Sequence, residues 1–313
     1  MDFALYLTSA LLTKQRDRFI LKGDHMIKKM IRSIAVAGIA FIASLVAFCP
    51  GPASAEIRLV TVPRLSAAEL QTMYAPLIEY LTREVEEKVT LVIPKDFDGV
   101  GIAVKTGKAD IGFVNPLIYI QMKQSINIEP LALSSEEKSG TRLRGIIIAR
   151  KDSGLTKLQD LKGKKFSFVD EDSPAGHIFQ KLLLSRAGFD MKKDIIMLPY
   201  AKTHDNVVMA VFNKTADAGG VREEQLDKMK GSVDVSQLRI VGYTDYFPNW
   251  PFFAAPSLKK ASADKVRAAL LKLKPNDPQN AKILGPARLT GFIPVTDKEY
   301  DDLRAAARLV GAL

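Results

Sequence analysis

Of 313 residues only one is cysteine, Cys49, only one is tryptophan and only three are histidine. Cys49 sits in an apolar N-terminal stretch, so the rest of the chain has no disulfide, no thiol nucleophile and no cysteine-ligated metal. His177 and His204 are the only histidines beyond residue 55, too few for an ordinary zinc site. Neither stands in a nucleophile, base and orienting-acid pattern. The expectation is a protein without catalytic residues, metal or cofactor. Internal repeats, low-complexity tracts and long linkers are missing as well, and no run beyond residue 55 approaches the ~20 apolar residues of a membrane span. Residues 1–55 hold seven of the 45 Lys and Arg and three of the 35 Asp and Glu, which leaves +6 for the remainder. That excess is scattered. Clusters such as Lys162, Lys164, Lys165 and Lys192, Lys193 have no interleaved aromatics, so they read as solvated surface and nucleic acid is not an expected partner.

What is present begins with an export signal. Lys28, Lys29 and Arg32 precede the apolar run from Ile34 to Phe48, which ends at Ala53-Ser54-Ala55. This is the pattern of a secretory signal peptide cleaved after Ala55. Met26 and Met30 are alternative starts, because the residues before them add nothing to that pattern.

Beyond Glu56, apolar period two alternates with period three to four, the mark of βα units on a largely parallel sheet. Strands are predicted at Ile57–Val62, Val89–Ile93, Ala109–Val114, Leu143–Ala149, Lys165–Val169, Ile195–Leu198, Ala216–Val221, Leu238–Tyr243 and Phe252–Ala255. Ser66-Ala-Ala-Glu69 and Thr296-Asp-Lys-Glu299 are capping boxes that open helices. Ser173 reads as the N-cap of a helix over 174–187 with Pro174 at its first position, where backbone N–H groups and the helix dipole suit an anion. Arg64, just past the first strand, offers a bidentate fork to an oxyanion or is a solvated loop residue. His204 follows a strand end, with Asp205 beside it, and donates to an anion more strongly if protonated. Glu223 and Glu224 open a helix, where the dipole favours acids with or without a ligand.

Six segments in order, YAPLIEYLTREV, KADIGFVNPLIY, IIIARKDSGLTKLQDLKGKKFSFVD, SPAGH, AKTHDNVVMAV and LTGFIPVTDKEYDDLR, resemble the periplasmic substrate-binding proteins of phosphonate, phosphite and phosphate ABC importers. The resemblance implies an α/β fold of the two-lobed type II periplasmic-binding kind, with two crossover strands and hinge closure on a ligand in the cleft. One lobe would be residues 56–143 with 251–313, the other 144–250. It implies an inner-membrane ABC permease as partner, a monomer, and a small anionic ligand. A ligand-presenting adaptor for a sensor kinase, or a ligand without phosphorus, are the other readings.

The implied ligand contacts are Ser173, Ala175, Gly176 and His177 in the anion turn, His204 with Asp205, and Glu224 for a ligand amine. Phe97, Asn115 and Leu143 are further candidates, with Arg64 added from its position. The family pattern is incomplete here. Phe97 replaces a tyrosine, Arg142-Leu143-Arg144-Gly145 lacks a Tyr and a Ser, and Pro174 and Ala175 replace hydroxyl residues. Two lost side-chain donors to a charged group could cost ~3–6 kcal/mol, so weak binding of simple alkylphosphonates is expected unless Arg64, Arg142 or Arg144 compensates. The signal-peptide reading has its own check: intact-mass measurement of the exported chain should give an N-terminus at Glu56, and retention of residues 26–55 would contradict it.

Overall fold

The computed structural model describes residues 56–313; the signal-peptide segment and its cleavage point lie outside the described residues. The chain opens with β1 (Glu56–Thr61), α1 (Ala67–Val85), β2 (Lys88–Val92), α2 (Asp98–Lys105), β3 (Ile111–Phe113), α3 (Pro116–Lys123) and β4 (Glu129–Glu136). It passes through β5 (Arg142–Leu143) into β6 (Gly145–Arg150), β7 (Lys164–Ser167), α4 (Phe179–Arg186), β8 (Ile195–Met197) and α5 (His204–Phe212). Then follow β9 (Ala218–Arg222), α6 (Gln225–Met229) and β10 (Leu238–Tyr243). It returns through β11 (Phe247–Pro248) to β12 (Pro251–Ala254), α7 (Lys260–Lys272), α8 (Ala281–Leu284), β13 (Leu289–Ile293) and α9 (Asp301–Leu309).

Two sheets result, in the orders β13-β4-β12-β3-β1-β2 and β10-β6-β9-β7-β8. Neither is largely parallel as the periodicity suggested. β1, β2 and β3 run parallel, as do β7, β8 and β9, but β12, β13, β6 and β10 join antiparallel. The reason is the route. The returning chain enters the first sheet from the opposite end, a direction that alternation of apolar residues does not encode.

The two passages between the sheets pair with each other. Phe247 lies opposite Leu143 and Pro248 opposite Arg142. Fully buried Asn249 fastens them, donating its backbone N–H to Thr141 and its side-chain amide to the Gly140 carbonyl, while its own carbonyl accepts from the Tyr300 hydroxyl. One apolar cluster then spans both sides of the crossing, uniting Val62, Ile118 and Leu303 with Leu143, Phe247 and Phe179.

Local signals account for much of the architecture. Ser66 and Glu69 form the predicted capping box of α1, and Leu70, Tyr74, Leu77 and Leu81 are buried along its inner face. Arg58 holds Asp110 through two side-chain hydrogen bonds of 2.8 and 2.9 Å, tying β1 to the start of β3.

The predicted N-cap at Ser173 takes a different form. Ser173 makes no side-chain cap bond, and Pro174–Ile178 form a π-helical turn before α4. Gly176 passes so close to Val169 that a Cβ would lie 2.4 Å from its Cγ2, and the Val169 N–H bonds to the Gly176 carbonyl. The wider turn accommodates that contact. Buried Gln180 braces it, its amide nitrogen donating to the carbonyls of Ala175, Ile146 and Val221. Replacing Gln180 with Leu keeps the volume and strands these carbonyls around an apolar group, so urea unfolding should show a loss of about 1–3 kcal/mol at unchanged m-value. A midpoint equal to that of the parent would remove Gln180 from this role.

Candidate functional site

The C-terminal ends of β1 and β3 face those of β7 and β9 across the crossing, and the polar side chains gather there. Asn115 caps α3 with its carbonyl oxygen, 2.9 Å from the Ile118 N–H, and its amide nitrogen reaches the Asp172 carbonyl on the other side at 3.3 Å. Arg222, the last residue of β9, sends one Nη to Glu136 at the end of β4 at 2.7 Å, and its Nε lies 3.3 Å from Glu224. Lys138 pairs with Asp227 across the same gap.

His204, first residue of α5, is seated by Arg222 as well. Its Nδ1 accepts the Arg222 backbone N–H at 3.2 Å, which puts the ring proton on Nε2. Burial, and after it the positive charges of Arg222, Lys228 and Arg64, lower its pKa from 6.5 to about 3. The expectation of a donor strengthened by protonation is therefore corrected: His204 presents a neutral Nε2–H throughout the physiological range. Lys228, exposed as a residue but partly desolvated at its ammonium end, is held below its ordinary value by that desolvation first, then by Arg222 and Arg288.

Around that donor stand cations without carboxylate partners among the described residues. Arg64 lies over the Trp250 ring at 5.5 Å and its Nη2 is 3.3 Å from the Met73 sulfur. Lys228 and Arg288 likewise have no ion pair among the described residues, whereas Arg222 is matched by Glu136 and Glu224. Sequence reasoning missed Arg222, Lys228 and Arg288. Arg222 was the most findable, as an Arg ending the apolar strand Ala218–Val221.

Other candidates fall elsewhere. Leu143 is 2% exposed and Ala175 3%, both inside the apolar cluster of the crossing, so neither side chain reaches solvent as a ligand wall. His177 is buried between Phe168 and Tyr200, ring centroids 4.9 and 5.5 Å away, and its Nδ1 donates to the Glu171 carbonyl. Burial lowers its pKa, so it is a neutral interior ring. Asp205 accepts from Gln225. Glu224 lies 3.3 Å from the Arg222 Nε as an ion pair, and its Oε2 has no hydrogen-bond partner among the described residues. Phe97 is partly buried and lines a crevice of about 380 Å³ with Ile118, Gln121 and Asp172. Of the turn, Ser173 alone keeps a half-exposed side chain, and Gly176 has none to offer. Arg144 cannot compensate for lost hydroxyls, because it grips Glu223 through two nitrogens and packs over Tyr243 and Tyr246 at 4.3 and 4.5 Å. Arg142 binds the Tyr246 carbonyl away from the His204 group.

A model of the periplasmic substrate-binding protein of phosphonate ABC transporters matches residues 59–300. The chain belongs to this family. The binding protein is 27% identical over 276 residues to the phosphate-import protein PhnD of Mycolicibacterium smegmatis, which spans 82% of this chain and 86% of that one. The tetrathionate sensor histidine kinase TtrS of Salmonella typhimurium is 23% identical over 256 residues, 77% of this chain but 43% of that protein. The structure of PhnD1 from Prochlorococcus marinus in complex with methylphosphonate superposes with a TM-score of 0.71 at 16% identity, covering 82% of this chain and 99% of that one. The binding protein thus has the two-lobed α/β fold.

The neutral state of His204 sets a pH dependence. Between its folded value of about 3 and its unfolded value of 6.5 the unfolded chain takes up a proton that the fold does not. Its contribution is complete above 6.5 and is lost as pH falls through that window. His204→Asn should flatten the acid-side decline of the urea midpoint between about pH 6 and about pH 4. An unaltered slope would show that His204 does not set it.

Proposed function

We propose that this chain is the exported ligand-capturing component of an ABC importer, and that it closes two lobes on a small oxyanion held by Arg64, Lys228 and the His204 Nε2–H. Residues 56–143 with 251–313 would form one lobe and 144–250 the other, a division supported by the assignment of the strands to two sheets. The observation that carries the ligand class is the charge arrangement. Glu136 is hydrogen-bonded to Arg222 and Glu224 ion-paired with it, while the positive charges of Arg64 and Lys228 act on a neutral donor at the start of α5. A helix N-terminus capped by Thr203 adds its backbone N–H groups to an anion seat. The reading includes export through a signal peptide cleaved after Ala55, supported by the N-terminal sequence pattern, and work as a monomer that delivers to an inner-membrane permease, supported by the family resemblance.

The ligand is a small anion other than a simple alkylphosphonate. The Ser173 turn, which the family uses for phosphonate oxygens, has its Pro174 to Ile178 side chains buried, and the tyrosine counterpart at Phe97 has no hydroxyl. Isothermal titration with phosphate, phosphite, methylphosphonate, 2-aminoethylphosphonate and a series of sulfonates and carboxylates tests this. One of the anions outside the alkylphosphonates should bind most tightly, and Arg64→Ala should weaken it about 10- to 150-fold through lost bonds of ~1.5–3 kcal/mol. Submicromolar methylphosphonate binding would refute the ligand class, and an Arg64→Ala variant of parental affinity would refute the site.

A further inference from the structure

The two lysine clusters that the ligand site leaves unused meet at one edge of the second sheet. β8 is the outermost strand there, with β7 as its single neighbour. In register, Lys164 lies opposite Ile195 and Lys165 opposite Ile196. The turn that leads into β8 carries Lys192 and Lys193 and is joined to the start of β7 by the Gly163 N–H to Asp194 carbonyl bond of 2.8 Å. Lys162 pairs with Asp194 at 3.6 Å and Lys193 with Asp190 at 3.4 Å. Lys164, Lys165 and Lys192 have no ion-pair carboxylate among the described residues. Beside them on β8 stand Ile196 and Met197, 52% and 45% exposed.

Large apolar side chains on an edge strand, with ammonium groups on the paired strand and in the preceding turn, are costly to leave in water and unsuited to an uncharged partner. We propose that this edge is a contact surface for an anionic phospholipid bilayer, with Ile196 and Met197 at the headgroup boundary and the lysines over the phosphates. The charge selects the occupant: polybasic surfaces gain affinity for anionic lipid with each lysine near the membrane, and apolar side chains add to it. Strand addition by an acidic peptide is the poorer fit, because β8 offers three residues where a pairing strand commonly uses five or six. Such contact would keep an exported, diffusing protein near the membrane face without an anchor.

The test is cosedimentation of the exported, processed chain with vesicles of phosphatidylcholine containing phosphatidylglycerol, and with phosphatidylcholine alone. Binding is expected to the anionic vesicles only, weakening with added salt. Reversal of Lys164, Lys165 and Lys192 to Glu should reduce it at least a hundredfold. Ile196→Ser with Met197→Ser should reduce it less, and Lys259→Glu, far along the chain at the N-cap of α7, should leave it intact. Circular dichroism melts of each variant separate loss of contact from loss of fold. Equal binding to both vesicle types, no binding to either, or triple reversal without effect would overturn the proposal, as would binding to polyglutamate in the absence of vesicle binding, which reassigns the edge to an acidic polypeptide. Anion binding in the cleft, measured on the same samples, is independent of these outcomes.

Discussion

A guanidinium set deep in a protein has to be neutralised where it stands, and Arg222 imposes that requirement on both sides of the molecule. Its charge draws Glu136 from the end of β4 and Glu224 from the start of α6. Removing one carboxylate would leave Arg222 a single partner, and removing both would leave an uncompensated charge, a far larger loss than either pair itself supplies. The same residue fixes the chemistry next to it. Its backbone N–H selects the His204 tautomer, and its positive charge joins burial in keeping that ring neutral. With Glu136 and Glu224 drawn to Arg222, Arg64 and Lys228 remain beside His204 without ion-pair partners among the described residues. The polarity of the site therefore follows from how one interior cation is matched.

The apolar seam at the crossing is the mechanical counterpart. Ala175, Ile178, Phe179 and Leu182 belong to the second sheet's flank, yet they pack in one cluster with Val62, Ile118, Tyr300 and Leu303. The turn that could have been a ligand loop is thereby part of the connection between the lobes. This explains why its loss of hydroxyl residues is tolerated: at positions 174 and 175 an unsatisfied hydroxyl inside an apolar cluster would destabilise the fold.

Much of the framework was legible because local chemistry and tertiary structure agree. The Ser66 and Thr296 capping boxes formed, and β1, β2, β6, β7 and β10 lie near their predicted spans. What escaped shares a physical reason. β4, EPLALSSE, sits in mid-sheet with two serines buried, and β13, LTGFI, has a glycine pressed against Pro275; neither shows an apolar alternation. The helix α3 follows Asn115-Pro116, which reads equally as the end of a strand, although Asn115 serves as its cap. The site was half legible. Arg64 and His204 stood out as a cation and a donor beside strand ends, but the partnership of Arg222 with Glu136, 86 positions away, exists only after the chain has crossed between sheets. Leu143 and His177 stand at positions where the family carries ligand-binding residues, yet their side chains turn inward, since alignment fixes position and packing fixes direction.

The single tryptophan has an optical consequence. Trp250 lies beneath the Arg64 guanidinium and 5.4 Å from the Phe113 ring, at the point where the second crossover enters the first sheet. An indole emits according to the polarity and charge around it, and here no second indole dilutes the signal. The protein is thus its own fluorimetric reporter, reading from one ring both the state of the cation above it and the twist of the strand that carries it.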